Sequence, residues 1–386
     1  MHPISNNAGY ISPLVNAPGT ALRSGTPSQN NAGQMLPFGN ALLHVGARDD
    51  VAPIHVLLAE AMGPVASGRI QGLSPTQAQV TSVPQSNPDA LTDTVLDTMK
   101  GRSTDLLVVR GNCKVDQAFL DQLAPQERPS FVLRAGTGMD NLDMDCLDAL
   151  GIAYSNTPDV NTQSTAELAL GLMLAVKRKI PQADSQMKAG QWNRAALTGS
   201  ELGGKTLGII GVGRIGGVVG AAAKALGMEV IGLASARRQQ SDADRPAYLK
   251  AYVSLDDLCT QSDVLTVHVP LNNSTRGMIG KPQLEQLSGR NAVVINVARG
   301  GVVNEEALLD ALDKGLIAGA GLDVFVEDPA PRGSVSDRLA QHPRVVATPH
   351  VGGQTLEASE KMGDAVVQQA QKMFLQRSVS QGGLNG

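Results

Sequence analysis

Gly211-Val212-Gly213-Arg214-Ile215-Gly216 lies between an apolar run, Thr206 to Ile210, and a helix-like run over 218–226. That is the context a dinucleotide-binding loop requires. Gly211 permits a tight turn, Gly213 lets the backbone approach a pyrophosphate, and Gly216 allows the helix to pack on the strand. The first helical turn then presents unpaired N–H groups to phosphate oxygens. Strand, glycine loop and helix together predict the opening of a doubly wound α/β domain.

Working outward, further strand-like runs follow at 230–233, 264–267, 292–297, 319–324 and 345–347. With 206–210 they make six, spaced to leave crossover helices at 218–226, 255–260, 281–287 and 305–314. Upstream, the runs 54–58, 106–109, 131–134 and 152–155 predict a smaller parallel sheet. These strands are continuously apolar rather than alternating, so both sheets are expected to be covered by helices on both faces. A buried helix over 165–179, continuing past Pro181 through Lys188, reads as a connector or dimer arm. A helix over 355–376 is expected to return to the first unit. The expected fold class is therefore α/β, with two Rossmann-like doubly wound parallel-sheet domains. A substrate domain (51–155 and 349–386) would carry a dinucleotide-binding domain (156–348) as an insertion. Residues 1–50 are rich in Ser, Asn, Gly and Pro without periodicity and read as a poorly ordered tail.

Composition narrows the function. The 386 residues are 42% hydrophobic and 18% charged, as in globular proteins with a large core. A net charge of −4 with scattered Lys and Arg argues against a nucleic-acid partner. Cys113, Cys146 and Cys259 are odd in number and far apart, so neither a disulfide framework nor a metal site is expected, and a reducing cytoplasm fits. The longest apolar run, residues 168–176, falls well short of the roughly 20 residues needed to span a bilayer, so no membrane partner is expected. The start lacks the basic and apolar regions of a signal peptide.

The residues with chemistry appear in a fixed order after strand-like runs: Arg299, then Asp328, then His350. A cation, an acid and an imidazole so arranged point to redox chemistry on a carboxylate-bearing small molecule. Seven stretches then resemble the D-isomer-specific 2-hydroxyacid dehydrogenases, the group of D-3-phosphoglycerate dehydrogenase and glyoxylate/hydroxypyruvate reductase. They are Arg134-Ala-Gly-Thr-Gly-Met-Asp-Asn141, Asn156-Thr-Pro158, Gly211 to Gly216, His268-Val-Pro-Leu271, Asn296-Val-Ala-Arg-Gly-Gly301, Gly321-Leu-Asp-Val-Phe325 and Thr348-Pro-His-Val-Gly-Gly353. Together they cover nearly all of residues 54–375.

The resemblance implies an NAD(P)-dependent enzyme that moves a hydride between the nicotinamide and C2 of a D-2-hydroxy acid or 2-oxo acid. His350 would be the acid/base, a task that suits imidazole because its proton affinity lies near working pH. Arg299 would grip the substrate carboxylate with its planar fork. Asp328 would orient His350. Family members usually carry Glu before this proline, so the shorter Asp328 is a departure, and Glu327 is the alternative partner. On the cofactor side the resemblance implies Gly211, Gly213, Arg214, Ile215 and Gly216 at the pyrophosphate and Val269 and Pro270 on the adenosine side. Ala298 and Asp323 would lie near the nicotinamide carboxamide, although Asp323 also suits a structural role at a strand end, and Val297, Arg299, His350 and Gly352 would be further cofactor-binding residues. Arg110, Gly111, Asn112 and Lys114 match the substrate loop of phosphoglycerate-type members, though Gly111 and Asn112 replace the usual Ser-Ala. Asn161 falls in a matching helix start. The family is commonly homodimeric through the region after Asn156.

Cofactor choice shows in the second strand. NAD enzymes usually end it with an acid for the ribose hydroxyls, whereas here Ala234 stands there, followed by Ser235, Arg237 and Arg238. Loss of the carboxylate and gain of two guanidinium groups predict NADP over NAD. Two alternatives bracket the reading. Formate dehydrogenases carry Gln where Asp328 stands, and a dinucleotide-sensing, corepressor-like regulator would not need the Arg299, acid and His350 set.

Overall fold

The computed structural model describes residues 51–84, 90–234 and 245–382. The expected tail at 1–50 lies outside the described residues, as do Ser235, Arg237 and Arg238. Among the described residues, every strand pairs in parallel within one of two sheets. The first contains β1 (Ile54–Leu58), β2 (Ala78–Ser82), β3 (Leu106–Val109), β4 (Phe131–Arg134) and β5 (Ala153–Asn156), in the order β2-β1-β3-β4-β5. The second contains β6 (Thr206–Ile210), β7 (Glu229–Leu233), β8 (Ala251–Val253), β9 (Val264–Val267), β10 (Val293–Asn296), β11 (Gly319–Leu322) and β12 (Val345–Ala347). Their order is β12-β11-β10-β9-β6-β7-β8. This is the expected class, with one strand more in each sheet than the apolar runs revealed. Both extra strands, β2 and β8, are edge strands. Ala-Gln-Val-Thr-Ser is largely polar and Ala-Tyr-Val is only three residues long, so neither makes the continuous apolar run that marks a central parallel strand.

Both faces of each sheet are covered. On the first sheet, Leu57, Leu107, Val109 and Val132 meet Val95, Leu96, Met99 and Phe119. The opposite side chains Ile54, Val56, Leu106 and Val108 meet Ala66 and Ile70 of helix Gly63–Gln71, together with Met362, Val366, Ala370 and Phe374 of helix Leu356–Gly382. Each buried Val, Leu, Ile, Met or Phe among them contributes about 1.5–3 kcal/mol by leaving water. The last helix is seated closely. A Cβ at Gly363 would lie 2.9 Å from Ala66 Cα, Arg69 pairs with Asp364 at 3.1 Å, and Arg377 pairs with Asp105 and donates to the Pro53 carbonyl at 3.1 Å. The chain thus returns to its first sheet after completing the second. In that second sheet Leu207, Ile209, Val293 and Ile295 pack on Ala169, Leu172 and Met173 of helix Thr162–Arg178. Val267, Val294 and Leu322 pack on Leu258, Leu308 and Leu339 from the other side.

In each sheet the strand order reverses once, at β1/β3 and at β6/β9. Crevices form beyond the carboxyl ends of the strands at such points, because successive crossovers leave in opposite directions. Glu60 and Arg110 follow β1 and β3, while Gly211 and His268 follow β6 and β9. No helix among the described residues is long and apolar enough to cross a membrane, and no group of three or more His, Cys, Asp or Glu among them is arranged to hold a metal ion.

Candidate active site

The glycine loop has the geometry its sequence asks for. Gly211 has φ 98°, and a Cβ there would lie 2.6 Å from the His268 carbonyl oxygen. A Cβ on Gly216 would run into the Gly211 carbonyl, whereas around the Cβ position of Gly213 nothing lies within 4 Å. Helix Arg214–Ala225 starts with no side-chain cap, leaving its first N–H groups facing that open space. The residues therefore fit a pyrophosphate. Arg214 is ion-paired with Asp159 at 2.7 Å, an exposed pair that exchanges partners at little cost. Ile215 packs into the core and Val269 packs under Gly211. His268 touches the Thr266 hydroxyl through Nε2 at 2.9 Å, while its buried Nδ1 has no partner. Desolvation pushes this imidazole down to about 3, so it sits beneath the loop as a neutral ring.

Arg299 stands in the turn after β10. Asn296, nearly fully buried, builds that turn: its Oδ1 accepts from Ala298 N at 3.1 Å and its Nδ2 donates to the Arg299 carbonyl at 3.0 Å. Gly300 is required there, since a Cβ would strike the Phe325 backbone. The guanidinium donates Nε–H to Asp140 Oδ1 at 3.0 Å and Nη1–H to the Ala298 carbonyl at 2.7 Å, and it packs over Gly138. Arg299 comes from the second sheet and Asp140 from the loop after β4 of the first, so this pair bridges the two lobes across the crevice. Burial pushes the Asp140 carboxyl up, but the charge and hydrogen bond of Arg299 outweigh this and hold it below the usual carboxylate range. Beside them, Arg134 is pushed down to about 10, chiefly by burial and then by the like charge of Arg299. Two guanidinium groups, those of Arg134 and Arg299, thus stand beside the one carboxylate of Asp140.

His350 is held from two sides. Its backbone takes φ 54°, and its N–H donates to the Asp323 carbonyl at 2.9 Å. The Asp323 carboxylate, almost fully buried, accepts from the Thr348 hydroxyl at 2.6 Å and from Val351 N and Gly352 N at 2.8 Å each. Asp323 thus fixes the loop that presents the imidazole, consistent with the structural role open to a strand-end acid. Val297 is buried beside it, and Ala298 is partly buried. The ring itself meets Asp328: Nδ1 and Oδ2 are 2.8 Å apart, both side chains half exposed. It is the shorter Asp328, not Glu327, whose carboxylate reaches the imidazole. With Nδ1 engaged, Nε2 is the nitrogen left for chemistry.

The loop at 110–114 is organised by Glu60. The Glu60 carboxylate accepts from Arg110 N at 2.8 Å, Cys113 N at 3.1 Å and Asn112 N at 3.2 Å. Arg110 donates Nη1–H to the Ala61 carbonyl at 3.0 Å, and Gly111, Asn112 and Lys114 are exposed. Asn161 accepts from the Thr137 hydroxyl at 2.7 Å and packs against Gly353, tying the loop after β4 to the loop bearing His350. Asp140, Asn296 and Glu60 are site residues that the sequence reading passed over. An acid inside the glycine-rich Arg134–Asn141 stretch and an Asn two residues before an Ala-Arg turn were the available signals.

Two parallel-sheet lobes meeting at a glycine-loop crevice, with a guanidinium and a carboxylate-backed imidazole inside it, define a dinucleotide-dependent α/β oxidoreductase architecture. Comparison with known proteins gives the family. Residues 170–352 match the family described as "D-isomer specific 2-hydroxyacid dehydrogenase, NAD binding domain". D-3-phosphoglycerate dehydrogenase of Methanocaldococcus jannaschii is 41% identical over 275 residues, 71% of this chain and 51% of that protein. Hydroxypyruvate reductase of Thermotoga maritima is 40% identical over 264 residues, 68% of this chain and 83% of that protein. The crystal structure of an NADPH-dependent glyoxylate/hydroxypyruvate reductase from Sinorhizobium meliloti superposes with a TM-score of 0.66 at 29% identity, covering 82% of this chain and 92% of that one. The chain belongs to the D-isomer specific 2-hydroxyacid dehydrogenase family. It spans about half the length of the phosphoglycerate dehydrogenase it matches.

Proposed function

We propose that this protein is an NAD(P)-dependent oxidoreductase that interconverts small 2-oxo acids and D-2-hydroxy acids in the crevice between its lobes. The observation that carries the reading is that Arg299 and His350 stand in loops beyond the carboxyl ends of two strands of one parallel sheet, β10 and β12, with the His350 ring 2.8 Å from the Asp328 carboxylate. When bound, the nicotinamide dinucleotide supplies the hydride for reduction or accepts it in reverse. Gly211, Gly213 and Gly216, with the N–H groups of Arg214 and Ile215, hold the pyrophosphate; Val269, Pro270, Val297, Ala298 and Gly352 line the path to the reacting centre. Arg299 binds the substrate carboxylate and polarises the keto group. His350 gives a proton to the keto oxygen as C2 is reduced, or takes the hydroxyl proton in reverse, while Asp328 keeps Nδ1 occupied and the ring in place. Arg110, Gly111 and Asn112 face the distal end of the substrate.

Within this reading NADP is the preferred cofactor, because Ala234 removes the acid that would repel a 2′-phosphate and Ser235, Arg237 and Arg238 follow it. A homodimer is supported by the apolar side chains Ile180, Met187 and Trp192 standing out on and beyond helix Ile180–Lys188, with Trp192 71% exposed. A reducing, cytoplasmic setting fits three buried cysteines with no disulfide. The regulatory alternative has no observation in its favour.

The test is direct. Offered NADPH with glyoxylate, hydroxypyruvate, pyruvate or 3-phosphohydroxypyruvate, the purified protein should lower the absorbance of the reduced cofactor with at least one. Silence toward all four with both cofactors would overturn the reading. Separately, kcat/KM is expected to be higher with NADPH than with NADH by tenfold or more, on the order of one charge-assisted contact. An NADH preference would remove the assignment to Arg237 and Arg238.

A further inference from the structure

Asp328 reaches His350 from a loop whose last apolar anchor is Phe325, partly buried against the core three residues earlier: Val326 is 59% exposed, and Glu327, Asp328 and Pro329 are exposed as well. Behind the loop lies a cavity of about 340 Å³ lined by Arg276, Asn304, Glu305, Val326, Glu327 and Ser336. Beyond Phe325, side-chain packing does not place Asp328. A carboxylate does. Glu305 opens helix Glu305–Asp313, whose start is capped by Asn304 accepting from Ala307 N at 2.9 Å, so the Glu305 side chain is not spent on the cap. Its Oε1 accepts from Val326 N and its Oε2 from the Ser336 hydroxyl, both at 2.6 Å. Ser336, 1% exposed, in turn accepts from Glu327 N at 3.3 Å. One carboxylate thus ties both ends of the loop that carries Asp328, directly through Val326 and through Ser336.

We propose that Glu305 is a positioning residue for the proposed reaction: its carboxylate sets the backbone at 326–327, which places Asp328 against Nδ1 of His350. The inference rests on the reading that the His350–Asp328 pair transfers the proton. Its physical basis is the short reach of the Asp328 side chain. An aspartate at 2.8 Å has no spare methylene with which to follow a displaced backbone, and a misplacement of about 1 Å costs up to about 10²-fold in rate.

The test uses the full chain with Glu305→Ala, Ser336→Ala, Asp328→Asn and the Glu305→Ala/Asp328→Asn double variant. Glu305→Ala should lower kcat about ten- to a hundredfold, leave the dissociation constant for NADPH unchanged, and speed amide hydrogen exchange at 326–328 without loosening the helix after residue 308. Ser336→Ala, a one-atom trim that spares the fold, should lower kcat in the same direction by a smaller factor. In the Asp328→Asn background, removal of Glu305 should cost nothing further, because the positioned group is already gone. The inference is overturned alone if the wild type reduces 2-oxo acids and Asp328→Asn impairs it, yet Glu305→Ala and Ser336→Ala turn over like the wild type. It is equally overturned if the loss from Glu305→Ala is the same in both backgrounds. A wild type silent toward every 2-oxo acid overturns the proposed function and this inference with it.

Discussion

His350→Gln is expected to reduce kcat by about 10²–10⁴-fold, the range that a positioned acid/base contributes, while the dissociation constant for NADPH changes little. The reason lies in the division of labour around the ring. The loop is held by Asp323 through the backbone of residues 350–352 and the Thr348 side chain, so replacing the imidazole leaves the loop and the glycine cradle as they are. What disappears is the imidazole that meets Asp328 and that, in the proposed reaction, carries the proton to the keto oxygen. Stopped-flow or steady-state turnover, with fluorescence titration of the reduced cofactor, separates the two effects. An unchanged kcat would exclude His350 as the acid.

Arg299→Gln should lower kcat/KM by about 30- to several-thousandfold, because removing one partner of a hydrogen-bonded charge pair costs on the order of 2–5 kcal/mol. Arg299→Lys should fall between, since an ammonium keeps the charge but not the planar fork. Part of the loss has a separate origin. Arg299 is what holds the Asp140 carboxyl below its ordinary value against the opposing effect of burial. A carboxyl held down in the folded state contributes stability above its unfolded pKa, and that stability is lost as pH falls through the lower folded value. Arg299→Gln removes this support, so the variant should be less stable than the wild type at neutral pH, with the gap closing in acid. Thermal melts at neutral and acidic pH check the sign, and a kcat/KM within a few-fold of wild type would refute the gripping role.

Most strands were legible from their apolar runs: 54–58, 106–109, 131–134, 206–210, 264–267 and 345–347 are strands over those same residues, the last of them, β12, at a sheet edge. β2 and β8 were not, since edge strands with one wet face do not need an apolar run. Helix Arg214–Ala225 begins four residues before the helix-like run at 218, as its first turn is the glycine loop itself and glycine carries no helical signal. The last helix runs on to Gly382, past the expected 376. In the site, Arg299, Asp328 and His350 were legible as residue types in loops after strands. The choice between Asp328 and Glu327 was not, because adjacent carboxylates in a turn are told apart only by how the loop is hung. Asp140, Glu60 and Glu305 act through partners between 21 and 159 positions away in sequence, and no local pattern reports those pairings, whereas Asn296 acts on Ala298 and Arg299 just after it.

The seating of helix Leu356–Gly382 on helix Gly63–Gln71 sets an order of assembly. The second sheet is contiguous in sequence and can close while the chain is still being made, whereas the first cannot complete its apolar layer until Met362, Val366, Ala370 and Phe374 have left the ribosome. During that interval the opening strands present one side covered only in part, by Ala66 and Ile70, to the cell. A stop codon that removes those four side chains would therefore damage the lobe encoded first, not the one encoded last.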